Sequence, residues 1–386
     1  MDFISQLGAN LSGALIIAIG FLFALTIVVF IHEMGHFLVA RWCGVTVKAF
    51  SIGFGKEIYS FTDRHGTRWR IAWIPVGGYV KFMDDENAAS VPSRDALSGL
   101  TEEERKGAFQ LKPLWQRAAV VAAGPAANFI LAILIFAMMF WLFGNRTMEP
   151  RVGRVAPDSP AASAGFLAGD LIVAIDGTPV DGFATVQQVV STSVGRKLAF
   201  EVERDGQKLI LMVTPALREL NDAIAGKHRR PVIGIEASGE TSRIVHRDVG
   251  PLEAVWLGTE RTWDIAAGTL SYIGDVFTGR QGAEQIGGIV RIADAAGKFA
   301  ALGVAELILF TAFISVSIGL VNLFPIPLLD GGHLLFYGIE AVRGRPMSEG
   351  AQEFSFRIGL ALIVMLMVFG FYNDRGILAR WFSWFS

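Results

Sequence analysis

Four long stretches, 13–40, 118–143, 305–329 and 355–372, carry almost nothing but apolar side chains, and the polar positions crowd into the segments between them. Crossing ~30 Å of hydrocarbon takes about 20 apolar residues in a helix. The pattern therefore predicts four transmembrane helices. No Lys or Arg precedes the first stretch, which is longer than the apolar part of a signal peptide and lacks a small-residue cleavage site. It is expected to stay attached.

Composition supports a membrane protein over two or three soluble domains: 52% of the 386 residues are hydrophobic and only 18% charged, with a mean hydropathy of +0.45. A net charge of -2 points to no nucleic acid, and the single Cys43 rules out an intramolecular disulfide. Compartment must come from topology. Arg41, Lys48, Lys56, Arg105, Lys106, Lys112 and Arg117 flank the first long polar segment, whereas residues 1–12 have no cation. Cytoplasmic loops carry the excess of Lys and Arg. This places 42–117 in the cytoplasm, 144–304 outside, and Arg343, Arg345 and Arg357 in a second cytoplasmic loop, with both termini outside.

Within the first polar segment, "VKAFSIGFGKEIYSFTDRHGTRWRIAWIPVGGYVKF" alternates β-branched and aromatic residues with polar ones around "DRHG" at 63–66, a hairpin pattern. A polar linker follows from 84, then a short helix start in which Thr101 and Glu104 have capping-box spacing. Outside, "DLIVAID" and "KLAFEVERDGQKLILMVTP", with an Asp205-Gly206 turn, predict strands on either side of a helix near 182–192. The run "SPAASAGFLAGDLIVAIDGTPV" resembles the PDZ modules of bacterial proteases. Such modules bind extended peptide at a sheet edge. The resemblance implies a PDZ domain over 150–238 whose groove strand lies in "PVIGIEAS", with Ile233, Gly234 and Ile235 touching peptide.

The first apolar stretch also contains "HEMGH". Ionisable groups at membrane depth are costly unless paired or bound. On a helix His32 and His36 share one face, with Glu33 beside them, an arrangement suited to two zinc ligands and a general base. A catalytic zinc site needs a third protein ligand. Asp330 in "NLFPIPLLDGGH" is the matching candidate, and His333 is the other histidine in a membrane segment. The first and third helices both run inward, so His32, His36 and Asp330 are expected at one depth near the cytoplasmic face. Asn322, Pro325 and Pro327 interrupt the third helix, and unwound backbone at membrane depth is tolerated where protein or a water-filled cavity covers it.

"HEMGH", "GPAANF" at 124–129, the PDZ-like run and "NLFPIPLLDGGHLLFYGIE" occur in an order that resembles the bacterial branch of the site-2 protease family, over nearly the whole chain. That branch often has two tandem PDZ domains where this chain has room for one, so the outer segment would exclude substrates differently. The resemblance implies Zn2+ held by His32, His36 and Asp330, Glu33 as base, and Gly53, Phe54 and Gly55 in a membrane-associated β element that presents substrate. It also implies a substrate contact at Asn322 and leaves Asn128 a possible role.

The expected fold class is thus an α-helical membrane protein with four transmembrane helices, a cytoplasmic membrane-associated β element and an extracytoplasmic α+β PDZ domain. Its parts are 1–41, 42–117, 118–143, 150–238, a connector at 239–304, 305–333, 355–372 and a tail at 373–386. The expected activity is cleavage of transmembrane segments of single-span proteins, such as a pre-trimmed anti-sigma factor or a signal-peptide remnant. Expected partners are those substrates, the lipid bilayer and a peptide in the PDZ groove; the expected location is the bacterial inner membrane, with the PDZ domain and both termini periplasmic. A metal transporter would not require Glu33 beside the ligands, and a silent PDZ scaffold would not require the four site residues.

Overall fold

The computed structural model describes residues 2–84, 101–180, 182–193, 195–222, 226–237, 244–279, 281–283 and 286–382. Most of the polar linker expected from 84 onward, and Ser238 at the end of the expected groove strand, lie outside the described residues. Contacts divide the chain into two units, one comprising Met1–Ala137, Val255–Ser271 and Ile286–Ser386, the other Met138–Ala254 and Tyr272–Gln285.

The first unit is built around helix α1 (Asp2–Trp42). Strands β1 (Val47–Thr62) and β2 (Arg68–Phe82) follow as the expected antiparallel hairpin. Asp63 ties its turn together: the carboxylate accepts from the backbone N–H groups of His65 and Thr67, from the Trp69 indole and from Arg41 at the end of α1. Helix α2 (Glu102–Gly107) starts at the expected capping box, with Thr101 and Glu104 bonded reciprocally. Helix α3 (Leu114–Phe143) then crosses α1 closely. A Cβ on Gly35 would stand 2.8 Å from the side chain of Ala127 and hard against the Ala123 carbonyl, so the approach depends on that residue having none. Phe37, Phe50, Phe82, Phe109 and Val120 bury a common cluster where the hairpin meets the ends of α1 and α3.

Later in the chain come α6 (Pro251–Phe277), of which Val255–Ser271 belongs to the first unit, then α7 (Ile289–Leu302), α8 (Val304–Asn322), α9 (Asp330–Arg343), α10 (Glu349–Asn373) and α11 (Arg375–Phe382). Ala24 and Val28 of α1 pack with Ala296 of α7 and Phe310 and Ile314 of α8. The third apolar stretch is not one helix through 329. It stops at Asn322, because prolines at 325 and 327 supply no N–H and disfavour helical backbone before them. Leu328 takes a positive φ of 85° in the break, and Asp330 opens a new helix. Among the described residues four helices are long and apolar enough to cross a membrane: Gly13–Trp42, Leu114–Phe143, Val304–Asn322 and Gly350–Asn373.

The second unit contains β3 (Asn145–Met148), β4 (Val152–Val155), α4 (Pro160–Ser163), β5 (Leu171–Ile175), β6 (Thr178–Pro179), α5 (Phe183–Ser191), β7 (Leu198–Arg204), β8 (Gln207–Val213), β9 (Ala216–Asp222), β10 (Gly226–Val232), β11 (Ile235–Ala237) and β12 (Ile244–Arg247). Its main sheet has the order β6-β5-β7-β8. The β7–β8 hairpin turns at Asp205 and Gly206 as expected, both at positive φ, the geometry that suits the twist of a two-residue hairpin. Ile172, Val186, Leu198, Phe200 and Val202 fill the core between sheet and α5. Buried Asp170 accepts from Arg204 at 2.7 and 2.8 Å and from the Leu167 N–H at 2.9 Å, which anchors the loop before β5.

Candidate metal centre

Helix α1 carries His32, Glu33 and His36, and the helical repeat turns both imidazoles toward α3 and the first residue of α9. His32 Nε2 and His36 Nε2 are 3.2 Å apart. Asp330 places Oδ2 3.2 Å from His32 Nε2 and Oδ1 3.6 Å from His36 Nε2. Among the described residues these three form the one His/Cys/Asp/Glu group of that kind that could hold a metal ion. Nitrogen and oxygen donors bound at about 2.0–2.2 Å around a tetrahedral zinc stand roughly 3.3–3.6 Å from one another. The observed separations of 3.2, 3.2 and 3.6 Å lie within about 0.1 Å of that range. Asp330 Oδ2 is also buried without a partner in hydrogen-bonding geometry, as a donor set awaiting a cation would be. His333 is outside the group; its ring packs 5.8 Å from Phe356 and 6.4 Å from Phe336.

The three residues and Glu33 line a cavity of about 580 Å³, together with Asn322, Leu328 and Gly78. Glu33 lies against β2: its Cγ is 3.2 Å from the place a Cβ on Gly78 would occupy. Glycine there lets the strand come up to the base. Arg117 and Glu340, also on the cavity wall, form a two-pronged ion pair, with N–O distances of 2.5 and 3.2 Å. Gly53, Phe54 and Gly55 sit in β1, on the strand paired to β2, and do not line this cavity; Phe54 stacks on Tyr79 at 6.1 Å. In the second unit Ile233 and Gly234 fall between β10 and β11 instead of within one strand, and Gly234 has a φ of 87°. With Ile235 they line a cavity of about 280 Å³ against Phe183, Val186 and Val190 of α5.

Two residues of α3, Gly124 and Asn128, complete the surroundings of the histidines, and neither has a clear role from the sequence pattern. Gly124 faces both rings: a Cβ there would stand 2.9 Å from His32 Cε1 and against His36 Nε2. Asn128 meets His32 Nδ1 at 3.2 Å. The available signal was an amide in an otherwise apolar window, four residues after a glycine.

The profile of Peptidase family M50 matches residues 20–366. The chain belongs to peptidase family M50. A Rhizobium meliloti (strain 1021) protein assigned as a zinc metalloprotease is 49% identical over 354 residues, covering 92% of this chain and 95% of that protein. Metalloprotease MmpA of Caulobacter vibrioides is 40% identical over 384 residues, covering 94% and 96%. Regulator of sigma-E protease RseP of Salmonella typhimurium is 34% identical over 448 aligned positions, covering 92% and 97%. Because 448 positions exceed the 386 residues of this chain, the Salmonella protein has stretches without a counterpart here. Membership of M50, the site-2 protease family, makes the chain a zinc-dependent metalloendopeptidase and sets aside the transporter and silent-scaffold readings.

Proposed function

We propose that this M50 peptidase cuts transmembrane segments of single-span membrane proteins, with His32, His36 and Asp330 holding zinc and Glu33 acting as base. The observation that carries the reading is the convergence of the three donor atoms, beside Glu33, on a cavity walled by helices long and apolar enough to cross a membrane. Zinc held by these three residues would supply a Lewis acid that activates water and polarises a carbonyl. Glu33, beside the donors, would be the base that takes a proton from water and returns it to the leaving amine. A peptide bond inside a substrate helix is shielded by its own hydrogen bonds, so the substrate must unwind locally. The hairpin offers backbone groups to an extended segment, which compensates those the unwinding exposes. Asn322 lines the cavity, which supports its role in holding the same segment.

Residues 150–238, within the second unit, are proposed to be a single extracytoplasmic PDZ domain. Its role is to keep proteins with bulky outer domains away and to admit those already trimmed, and its α5-side cavity suits an extended peptide. The Lys and Arg distribution puts the metal site near the cytoplasmic face of the bacterial inner membrane. A thiol placed at Asp205 in a Cys43-free chain should react from outside, and one at Arg64 only after the membrane is opened; the reverse would overturn this orientation. The decisive experiment incubates the purified full chain with a single-span protein in liposomes and maps the product termini by mass spectrometry. New termini should lie within the apolar segment and be absent with Glu33→Gln. Cleavage confined to the soluble portion would refute the assignment.

A further inference from the structure

His36 and His32 both turn Nδ1 toward α3. For His36 the partner is the Val120 carbonyl oxygen at 2.8 Å, which can only accept, so Nδ1 carries a hydrogen and Nε2 is the nitrogen turned to Asp330. For His32 the partner is the Asn128 amide at 3.2 Å. Asn128 is 0% exposed, and Oδ1, the end of the amide turned away from the ring, has no partner. Two contacts from α8 hold it in place: Ser315 Oγ donates to its backbone carbonyl at 2.8 Å, and a Cβ on Gly319 would stand 3.2 Å from the Asn128 Cβ. A half-satisfied amide buried in an apolar helix is costly, and apolar residues of equal size would fill the space without that cost.

We propose that Asn128 is a positioning residue that sets which nitrogen of His32 carries the hydrogen. The two ends of an amide have the same shape and exchange by a half-turn of the side chain. With Nδ2 toward the ring, His32 Nδ1 accepts and its hydrogen lies on Nε2, facing Asp330. With Oδ1 toward the ring, Nδ1 donates, and the Nε2 lone pair is free for a metal. Hydrogen bonds of this kind orient metal-binding histidines and raise their basicity. An amide serves both states, a carboxylate only the second, and leucine neither. The inference rests on the assignment of His32 as a ligand.

The test measures zinc affinity of the full chain in detergent by chelator competition, and the visible absorption of the Co2+-loaded protein, for wild type, His32→Ala, Asn128→Leu and Asn128→Asp. Asn128→Leu should bind zinc about 10–100-fold more weakly and shift the Co2+ bands. Asn128→Asp, which keeps only the acceptor, should lose less than about tenfold, short of that range. A packing role predicts the opposite order, since leucine fills the site and a buried carboxylate is penalised. Wild-type affinity in Asn128→Leu, or equal loss in both variants, overturns the proposal. If Asn128→Leu does not fold, Asn128→Asp decides alone: retained affinity supports the tautomer role and lost affinity refutes it. Unchanged affinity in His32→Ala would instead refute the ligand assignment.

Discussion

Asp330 Oδ2 stands 3.2 Å from His32 Nε2, although one opens a helix late in the chain and the other lies within the first. The break after Asn322 makes the meeting possible. A straight helix continuing through 330 would carry the carboxylate past the histidines, whereas the turn through Pro325, Pro327 and Leu328 sends the chain back. Gly331 and Gly332 leave room for the carbonyls of that turn, which side chains would obstruct.

Removing a ligand and removing the base should therefore have different signatures. Alanine at His32, His36 or Asp330 should lower bound zinc measured by atomic absorption, and His333→Ala should not. Glu33→Gln should keep its zinc and lose ~10²–10⁴-fold in kcat/KM, the range of a general base. Normal zinc in Asp330→Ala with loss in His333→Ala would reassign the third ligand.

Gly124 separates α3 from both imidazoles by the absence of a side chain. Gly124→Ala should displace the rings and cost ~100-fold in kcat/KM, as a misplacement of about 1 Å does. Zinc affinity should fall with it. Activity within twofold of wild type, measured on the same single-span substrate, would mean that the helices shift apart without disturbing the site.

Arg117 and Glu340 join α3 to α9 by a largely buried pair, and Arg117 also lies over the Tyr337 ring at 5.0 Å. Loss of one partner strands the other charge, so Glu340→Ala should destabilise the protein by about 2–3 kcal/mol in detergent melts, a value reduced from that of a fully dry pair. Arg117→Met with Glu340→Leu should cost less than the two single changes added together.

The hairpin turn should loosen in acid. Burial pushes the Asp63 carboxyl up, but N–H donors from Thr67, Trp69 and His65 and the charge of Arg41 outweigh it, and the group is held down at about 2, below its ordinary 3.8. A depressed carboxylate contributes stability that is present above the unfolded value and lost as pH falls through the folded one. Pepsin cleavage between Phe61 and Trp69 should therefore rise as pH drops from about 4 to about 2, relative to cleavage elsewhere in the chain. Asp63→Asn should be equally sensitive across that range. A wild-type turn that resists pepsin throughout would show that Asp63 does not hold it.

The sequence by itself determined those features whose cause is local. The presence of four membrane-length helices follows from apolar runs, the hairpin from alternation around a polar turn, the α2 start from Thr101 and Glu104, and the β7–β8 turn from an Asp-Gly pair that accepts positive φ. The pairing of His32 with His36 was legible for the same reason, since the helical repeat alone puts them on one face. Partners distant in sequence were harder to read. Asp330 stood out as a candidate beside His333, but only the packed helices decide which of them reaches the imidazoles. Asn128 and Gly124 are an amide and an absence of side chain, and they mean something only when α3 lies against α1. In β1 and β2 the alternation marks both strands equally, so nothing local told that Gly78, and not Gly53 to Gly55, would border the cavity. Tertiary structure decided these points because close packing of α1, α3, α8 and α9 selects one set of neighbours, and no residue carries a record of what the opposite helix will bring.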